Sequence, residues 1–328
     1  MRHDLRGLRG DNLAHILSLI GLAALTPGTT RVGWSNERHA YLESEESPEA
    51  LNAAIQDGFR RMREDHRALI DVEMTVSGIT RPQKKKQGKK GRPQAEDGEG
   101  DDKSGLPVRA ISMQLDRLSR SARETAPSVM CIAGSPDGLL QKTRAQLGKT
   151  WFCRHVAHDY MQLDKLKTRP AVLTELSDSA LMAQTTTYMP GGSRAGTSFD
   201  HIGSAVNIGI NQSLIGQNRR PHPYIELLAI EGMKAMPAFP TGFGNPLNRG
   251  MERRSERGRS KDAIWDIPLW TVPLGYFEIE DFLAASNGAE AHRRSILEVR
   301  RFEIVENGKL LMLRPMGTVS IPSRERAQ

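Results

Sequence analysis

An α+β fold, built of mixed helices and short antiparallel hairpins around one long disordered charged insertion, is predicted by three features of the sequence. Apolar residues recur at helical spacing over 13–25, 48–69 and 224–236; β-prone pairs flank turn residues at 31–42 and 295–313; and the stretch from Thr80 to Leu106 has almost no apolar residue. The insertion divides the chain into an N-terminal α+β part (1–80), a charged linker or loop (81–105) and a main α+β part (106–328). At 328 residues the apolar content suffices for one large core or two ordinary ones.

The elements follow in order. Asp11 or Asn12 caps a helix carrying Leu13, Ile16, Leu17, Ile20 and Leu25, and Pro27-Gly28 stops it. Its apolar residues cover most of the circumference, which places it in a core. Arg31-Val-Gly-Trp34, the turn at Ser35-Asn36-Glu37 and His39-Ala-Tyr-Leu42 predict a hairpin. Ser47 as cap and Pro48 at the first helical position start a long helix with a stripe of Leu51, Ile55, Phe59, Met62, His66 and Leu69; Arg60, Arg61, Arg63 and Glu64 form its solvated face. Further helices are expected over 108–125, 139–147, 151–166, 199–214 and 278–285, and strands over 128–133 and 181–188. Tyr224 to Met236 reads as a helix turning Ile225, Leu228 and Ala229 inward and ending at Pro237. Ile264 to Leu274 alternates apolar residues, but Pro268 and Pro273 each lack a ladder donor, so an edge or bulged strand is expected. A last hairpin turns at Glu306-Asn307-Gly308.

Composition narrows the function. Forty-six basic residues against 39 acidic give +7, a balance suited to a polyanion or an acidic protein surface. Two cysteines, Cys131 and Cys153, are too few for a disulfide framework and fit a reduced, cytoplasmic setting. Arg2, Arg6 and Arg9 before an apolar run resemble a signal peptide, yet Asp4, Asp11 and His15 interrupt it, and 13–25 is too short to span a bilayer. No membrane partner is expected. Within 81–105, a basic block (Lys84, Lys85, Lys86, Lys89, Lys90, Arg92) meets an acidic one (Glu96, Asp97, Glu99, Asp101, Asp102), and neither half can offset its own ordering entropy.

The chemistry concentrates in the third of the chain around the glycine-rich stretch Tyr188–His201. It sits between an extended segment and a predicted helix, where free N–H groups favour an anion, and Gly191, Gly192 and Gly196 remove the Cβ atoms that would hold a phosphate off. Neither a P-loop Lys-Ser/Thr nor a dinucleotide fingerprint is present. The candidate nucleic-acid-binding set is Gly191, Gly192, Ser193 and Arg194 of the loop, Asn211 and Gln212 of the following helix, the Arg219-Arg220 corner, and Arg249, Arg253, Arg254, Arg257, Arg259 and Lys261 of an arginine-rich tip. Amides and arginines hold phosphates, whereas Asn and Gln read base edges. Low aromatic content argues against stacking as the main source of affinity.

No nucleophile elbow or Cys/His pair advertises catalysis, so no catalytic residue, cofactor or metal is expected. Glu226, Glu231 and Asp266 are scattered carboxylates, and a structural hydrogen bond explains Asp266 as well as acid–base work does. The alternative enzyme is a metal-dependent nuclease or phosphohydrolase using His155, His158 and Asp159, which share a helix face near Cys153 and have Asp200 and His201 as the nearest further donors. A basic protein-protein scaffold is the other alternative.

The pattern of Leu5-Arg-Gly-Leu8 with Leu13–Leu25, then Arg31-Val-Gly-Trp34, Glu226-Leu-Leu-Ala-Ile-Glu-Gly232 and Trp265-Asp-Ile-Pro-Leu-Trp270 resembles proteins of type I-G (formerly I-U) CRISPR loci, in particular large-subunit-like components of the Cascade surveillance complex. These pieces span both ends of the chain and cover about a third of it, and the chain is short for a large subunit of that lineage. The resemblance implies a non-enzymatic subunit of an antiviral ribonucleoprotein, with guide RNA, target DNA and other Cascade subunits as partners. In such complexes base pairing reads the target, and protein reads the short flanking motif and backbone shape.

Overall fold

The computed structural model describes residues 1–80, 160–161, 163–164, 172–177, 222–236, 238–239, 247–248, 251–253, 263–285, 295–307 and 310–319. In chain order these form β1 (Arg2–Arg9), α1 (Leu13–Leu25), β2 (Thr30–Trp34), β3 (His39–Ser44), α2 (Pro48–Thr80), α3 (Val172–Ser177) and α4 (Pro223–Gly232), the last running into a 3-10 turn, Met233–Ala235. After these come β4 (Ala238–Phe239), β5 (Leu247–Asn248), β6 (Met251–Arg253), β7 (Ala263–Trp270), α5 (Tyr276–Ala285), β8 (Ile296–Asn307) and β9 (Leu310–Val319). Helices and antiparallel sheets together make the fold α+β, as the sequence predicts. The boundaries expected at 81 and 106, and the elements expected over 108–147, 181–188 and 199–214, lie outside the described residues, as do most of those at 151–166.

Two apolar helices form the centre. The Asn12 side chain accepts from the Ala14 N–H at 3.0 Å and starts α1, which is buried along almost its whole length. Its partner α4 is buried on every side, not only at Ile225, Leu228 and Ala229. The two backbones touch at paired glycines: a Cβ on Gly21 would lie 2.0 Å from the Leu228 carbonyl oxygen, and one on Gly232 would lie 2.0 Å from that of Leu17. Ser18 Oγ donates to the Ile225 carbonyl at 2.8 Å across the same contact. Helix α2 crosses the end of α1 at Gly58, and Arg61 Nη2 donates to the Leu25 carbonyl at 3.1 Å, satisfying one of the orphan acceptors a helix end leaves. Ser47 Oγ accepts from Ala50 N–H, and Leu51, Ile55, Phe59, Met62 and His66 are buried, so the start of α2 and its stripe as far as His66 match expectation, the Leu69 side chain lying outside what is described.

Antiparallel sheets flank the helices. The first has the order β1-β3-β2; its β2–β3 hairpin was legible, whereas β1 was not. Residues 1–10 hold five charged or histidine side chains and two glycines, and only Leu5 and Leu8 mark an inward face. The other large sheet has the order β6-β7-β8-β9. Pro268 of β7 pairs with Val299 of β8 but lies beyond the β6 contact, which ends at Trp265, and a register shift follows at Leu269/Trp270. Among the described residues no strand pairs with β7 beyond Trp265 on the β6 side, so the proline sits beside a bulge where the described ladder needs no donor. The last hairpin is longer than its expected end at 313, with β9 running to Val319 and Asn307 pairing with Leu310.

Just past β7 the chain joins the sheets. Val32 and Leu274 exchange backbone hydrogen bonds of 2.8 and 2.9 Å, so 274 extends the edge of β2. Trp270 Nε1 donates to the same Val32 carbonyl at 2.8 Å, and Tyr41, lying over Gly33, donates its hydroxyl to the Thr271 carbonyl. Apolar residues from both ends of the chain consequently share one core.

Candidate functional site

Of the predicted nucleic-acid-binding residues only Arg253 falls on a described element, at the end of β6 opposite Ala263. Gly191, Gly192, Ser193, Arg194, Asn211, Gln212, Arg219, Arg220, Arg249, Arg254, Arg257, Arg259 and Lys261 lie outside the described residues. So do Cys131, Cys153, His155, His158, Asp159, Asp200 and His201. Among the described residues, no group of three His, Cys, Asp or Glu is placed to hold a metal, and no helix is long and apolar enough to cross a membrane.

Residues 1–80 carry 9 basic and 12 acidic residues, so the chain's positive excess arises beyond residue 80. Several arginines of this part are matched. Arg2 pairs with Asp4, Arg9 with Asp11, Arg31 with Glu278, Arg60 with Asp57 and Arg63 with Asp164. In β8, Arg301 holds Asp266 of β7 in a fork of 2.7 and 2.6 Å, giving that carboxylate the structural role the sequence allowed.

One ionic group departs from this pairwise pattern, at the junction of the two sheets. The β2–β3 turn closes with Ser35 N–H to the His39 carbonyl and Arg38 N–H to the Ser35 carbonyl, both at 2.8 Å, and the Arg38 carbonyl accepts from Gly10 N–H at 2.9 Å. Arg38 has φ 65, the only positive φ of a non-glycine among the described residues. Turn chemistry gives such a position to Gly or Asn, and a side chain there costs about 1–2 kcal/mol. From this turn Arg38 Nε reaches Glu298 Oε1 at 2.9 Å, while Arg300 Nη1 approaches the same oxygen at 3.3 Å and Thr318 Oγ1 at 3.1 Å. Arg300 and Glu298 are nearly buried, whereas the Arg38 side chain is 51% exposed. Two guanidiniums therefore share one carboxylate. The group is not legible in the sequence because Arg38 and its partners lie some 260 positions apart; its single local signal is an arginine closing a turn where glycine is expected.

A second polar group is enclosed between α2 and the end of α4. His66 Nδ1 and the Tyr160 hydroxyl are 2.9 Å apart, and Lys234 Nζ pairs with Glu231 Oε1, both side chains being 6% exposed. Burial, with the Lys234 ammonium adding to it, lowers His66 from 6.5 to about 3, so the imidazole is neutral at ordinary pH. Burial also raises Glu231, against the pull of Lys234. At the other end of α4, His222 caps the helix by accepting from Tyr224 N–H at 3.3 Å and turns its Nε2 to Glu175 of α3 at 3.2 Å. These histidines are fixed by packing and by their neighbours, an arrangement that orients helices.

No protein-family model matches the sequence, and comparison with curated proteins finds no relative.

Proposed function

We propose that this chain is a non-catalytic, cytoplasmic subunit of a type I CRISPR RNA-guided surveillance complex, contributing to assembly and to recognition of target DNA or its flanking motif. One observation carries the reading. The five segments of the resemblance, scattered in sequence, meet in space: Leu5–Leu8 in β1, Leu13–Leu25 as α1, Arg31–Trp34 as β2, Glu226–Gly232 in α4 and Trp265–Trp270 in β7 all contribute to one core. They meet at specific contacts, namely the Gly21/Gly232 crossing of α1 and α4 and the Trp270–Val32 hydrogen bond between β7 and β2. A pattern that marks a fold's contact points supports kinship more than a scattering of surface matches would.

In this reading phosphates are held by the amides of Gly191, Gly192 and Ser193 and by the arginines at 194, 219–220 and 249–259, with Lys261, and Asn211 and Gln212 face bases. The positive excess beyond residue 80 accords with that distribution. The test is reconstitution of the full chain with a type I-G guide RNA and the remaining Cascade subunits, followed by target-DNA binding over a salt series. Incorporation, with affinity falling steeply as salt rises, is expected. The double variant Arg194→Ala/Gly192→Val should weaken binding without unfolding the chain. Failure to join the complex, or a flat salt response, overturns the reading; bound metal lost on replacing His155 and His158 would favour a metal-dependent hydrolase.

A further inference from the structure

We infer that Arg38 and Arg300 form a phosphate-oxyanion site at the junction of the two sheets, templated by Glu298. The inference rests on three observations. Arg38 occupies a left-handed turn position at φ 65, where glycine would be free of strain, and among the described residues its ionic contact is to Glu298, made from an arginine side chain that is itself 51% exposed. The fold bears a backbone cost at this residue, and such residues gather where a ligand is handled. Second, Glu298 Oε1 receives both guanidiniums, Arg38 Nε at 2.9 Å and Arg300 Nη1 at 3.3 Å, which converge on one point with a unit of positive charge left over. Third, among the described residues Glu298 engages Arg38 through Nε, and Glu298 and Thr318 engage Arg300 through Nη1, while the planar fork of an arginine has further N–H groups suited to two oxygens of a phosphate. Arg9 and Asp11, which flank Gly10 beside this turn, cancel each other; Glu37, exposed next to Arg38, opposes an anion.

The ligand chemistry is a phosphate oxyanion, from a nucleic-acid backbone or from free phosphate. The backbone source rests on the proposed function, and the experiment separates the two. The full chain carrying Arg38→Gly, Arg300→Gln or Glu37→Gln is compared with the unaltered chain in titrations with a labelled single-stranded DNA 20-mer and, separately, with inorganic phosphate at constant ionic strength. Glycine suits the turn, so Arg38→Gly should unfold at the same or a higher temperature. It should nevertheless lose tenfold or more in affinity and lower the salt slope for DNA by about 1. Arg300→Gln should weaken binding likewise and Glu37→Gln strengthen it. DNA binding that depends on Arg38 without phosphate binding assigns a backbone subsite. Phosphate binding that depends on Arg38 without DNA binding keeps the site and overturns the nucleic-acid reading. DNA binding unchanged in all three variants, with no phosphate bound, overturns the site alone. A marked loss of stability in Arg38→Gly overturns it too, because the arginine would then be structural.

Discussion

Gly21 of α1 and Gly232 of α4 face each other so closely that a Cβ on either would come within 3.0 Å of the other's backbone nitrogen. A Cβ on each would also lie 2.0 Å from a carbonyl oxygen of the opposite helix. No rotamer change relieves a clash with backbone, so the helices must separate, and everything packed on them moves. Gly21→Ala and Gly232→Ala should each cost about 3 kcal/mol or more, enough to deplete soluble protein. Gly28 offers the control. Its φ of +81 strains alanine but nothing lies within 4 Å, so Gly28→Ala should cost only about 1 kcal/mol in denaturant melts. Equal losses at all three positions would contradict the close approach.

The cap of α1 gives a smaller, local effect. Asn12 is fully buried and its side chain satisfies the Ala14 N–H, so Asn12→Ala should cost about 1 kcal/mol, whereas Asn12→Asp should retain most of the stability. Thermal unfolding of the two variants checks this. Identical losses for Ala and Asp would mean that the cap bond is not what holds the helix start.

Acid should loosen the contact between α2 and α4. In the folded chain His66 takes up a proton only near pH 3, since burial and Lys234 oppose the charge, whereas the unfolded chain does so near 6.5. Between these values the unfolded state binds more protons, so this stability is complete above about pH 6.5 and drains as pH falls toward 3, by about 1.4 kcal/mol per unit well inside the window. Glu231, raised by burial, acts with the opposite sign above its ordinary 4.5, because there the folded chain holds the proton longer. Urea titrations at pH 7 and pH 5 of the wild type and of His66→Gln isolate the histidine: the variant should lose less on acidification. An unchanged pH dependence would mean that His66 titrates normally.

These effects show where the fold was legible and where it was not. Short-range chemistry is written locally, so Asn12 before an apolar run, Ser47-Pro48, the 35–37 turn and Pro268 each led to the right element. Strand β1 escaped because alternation was masked by charged residues and glycines, and its partner, β3, supplies the missing face only after folding. The all-round burial of α4 was hidden by Glu226 and Glu231, which read as scattered carboxylates yet are both buried, Glu231 against Lys234. The predicted binding loop depends on composition, and the Arg38–Glu298–Arg300 group depends on the meeting of two sheets, for which no spacing rule exists.

The Glu231–Lys234 pair permits a sharper test, because burial makes the two halves of an ion pair interdependent. Both side chains are 6% exposed, and among the described residues Glu231 Oε2 has no hydrogen-bond partner. Removing the ammonium alone, in Lys234→Met, leaves a buried carboxylate without its partner and should cost about 3–5 kcal/mol. Glu231→Leu alone leaves a buried cation and should cost a comparable amount. Lys234→Met with Glu231→Leu removes both charges and the desolvation each suffers, so the double variant should be more stable than either single one, with a coupling of about 2 kcal/mol or more in the double-mutant cycle. Additive losses would show that the two charges are solvated independently and do not form a buried pair.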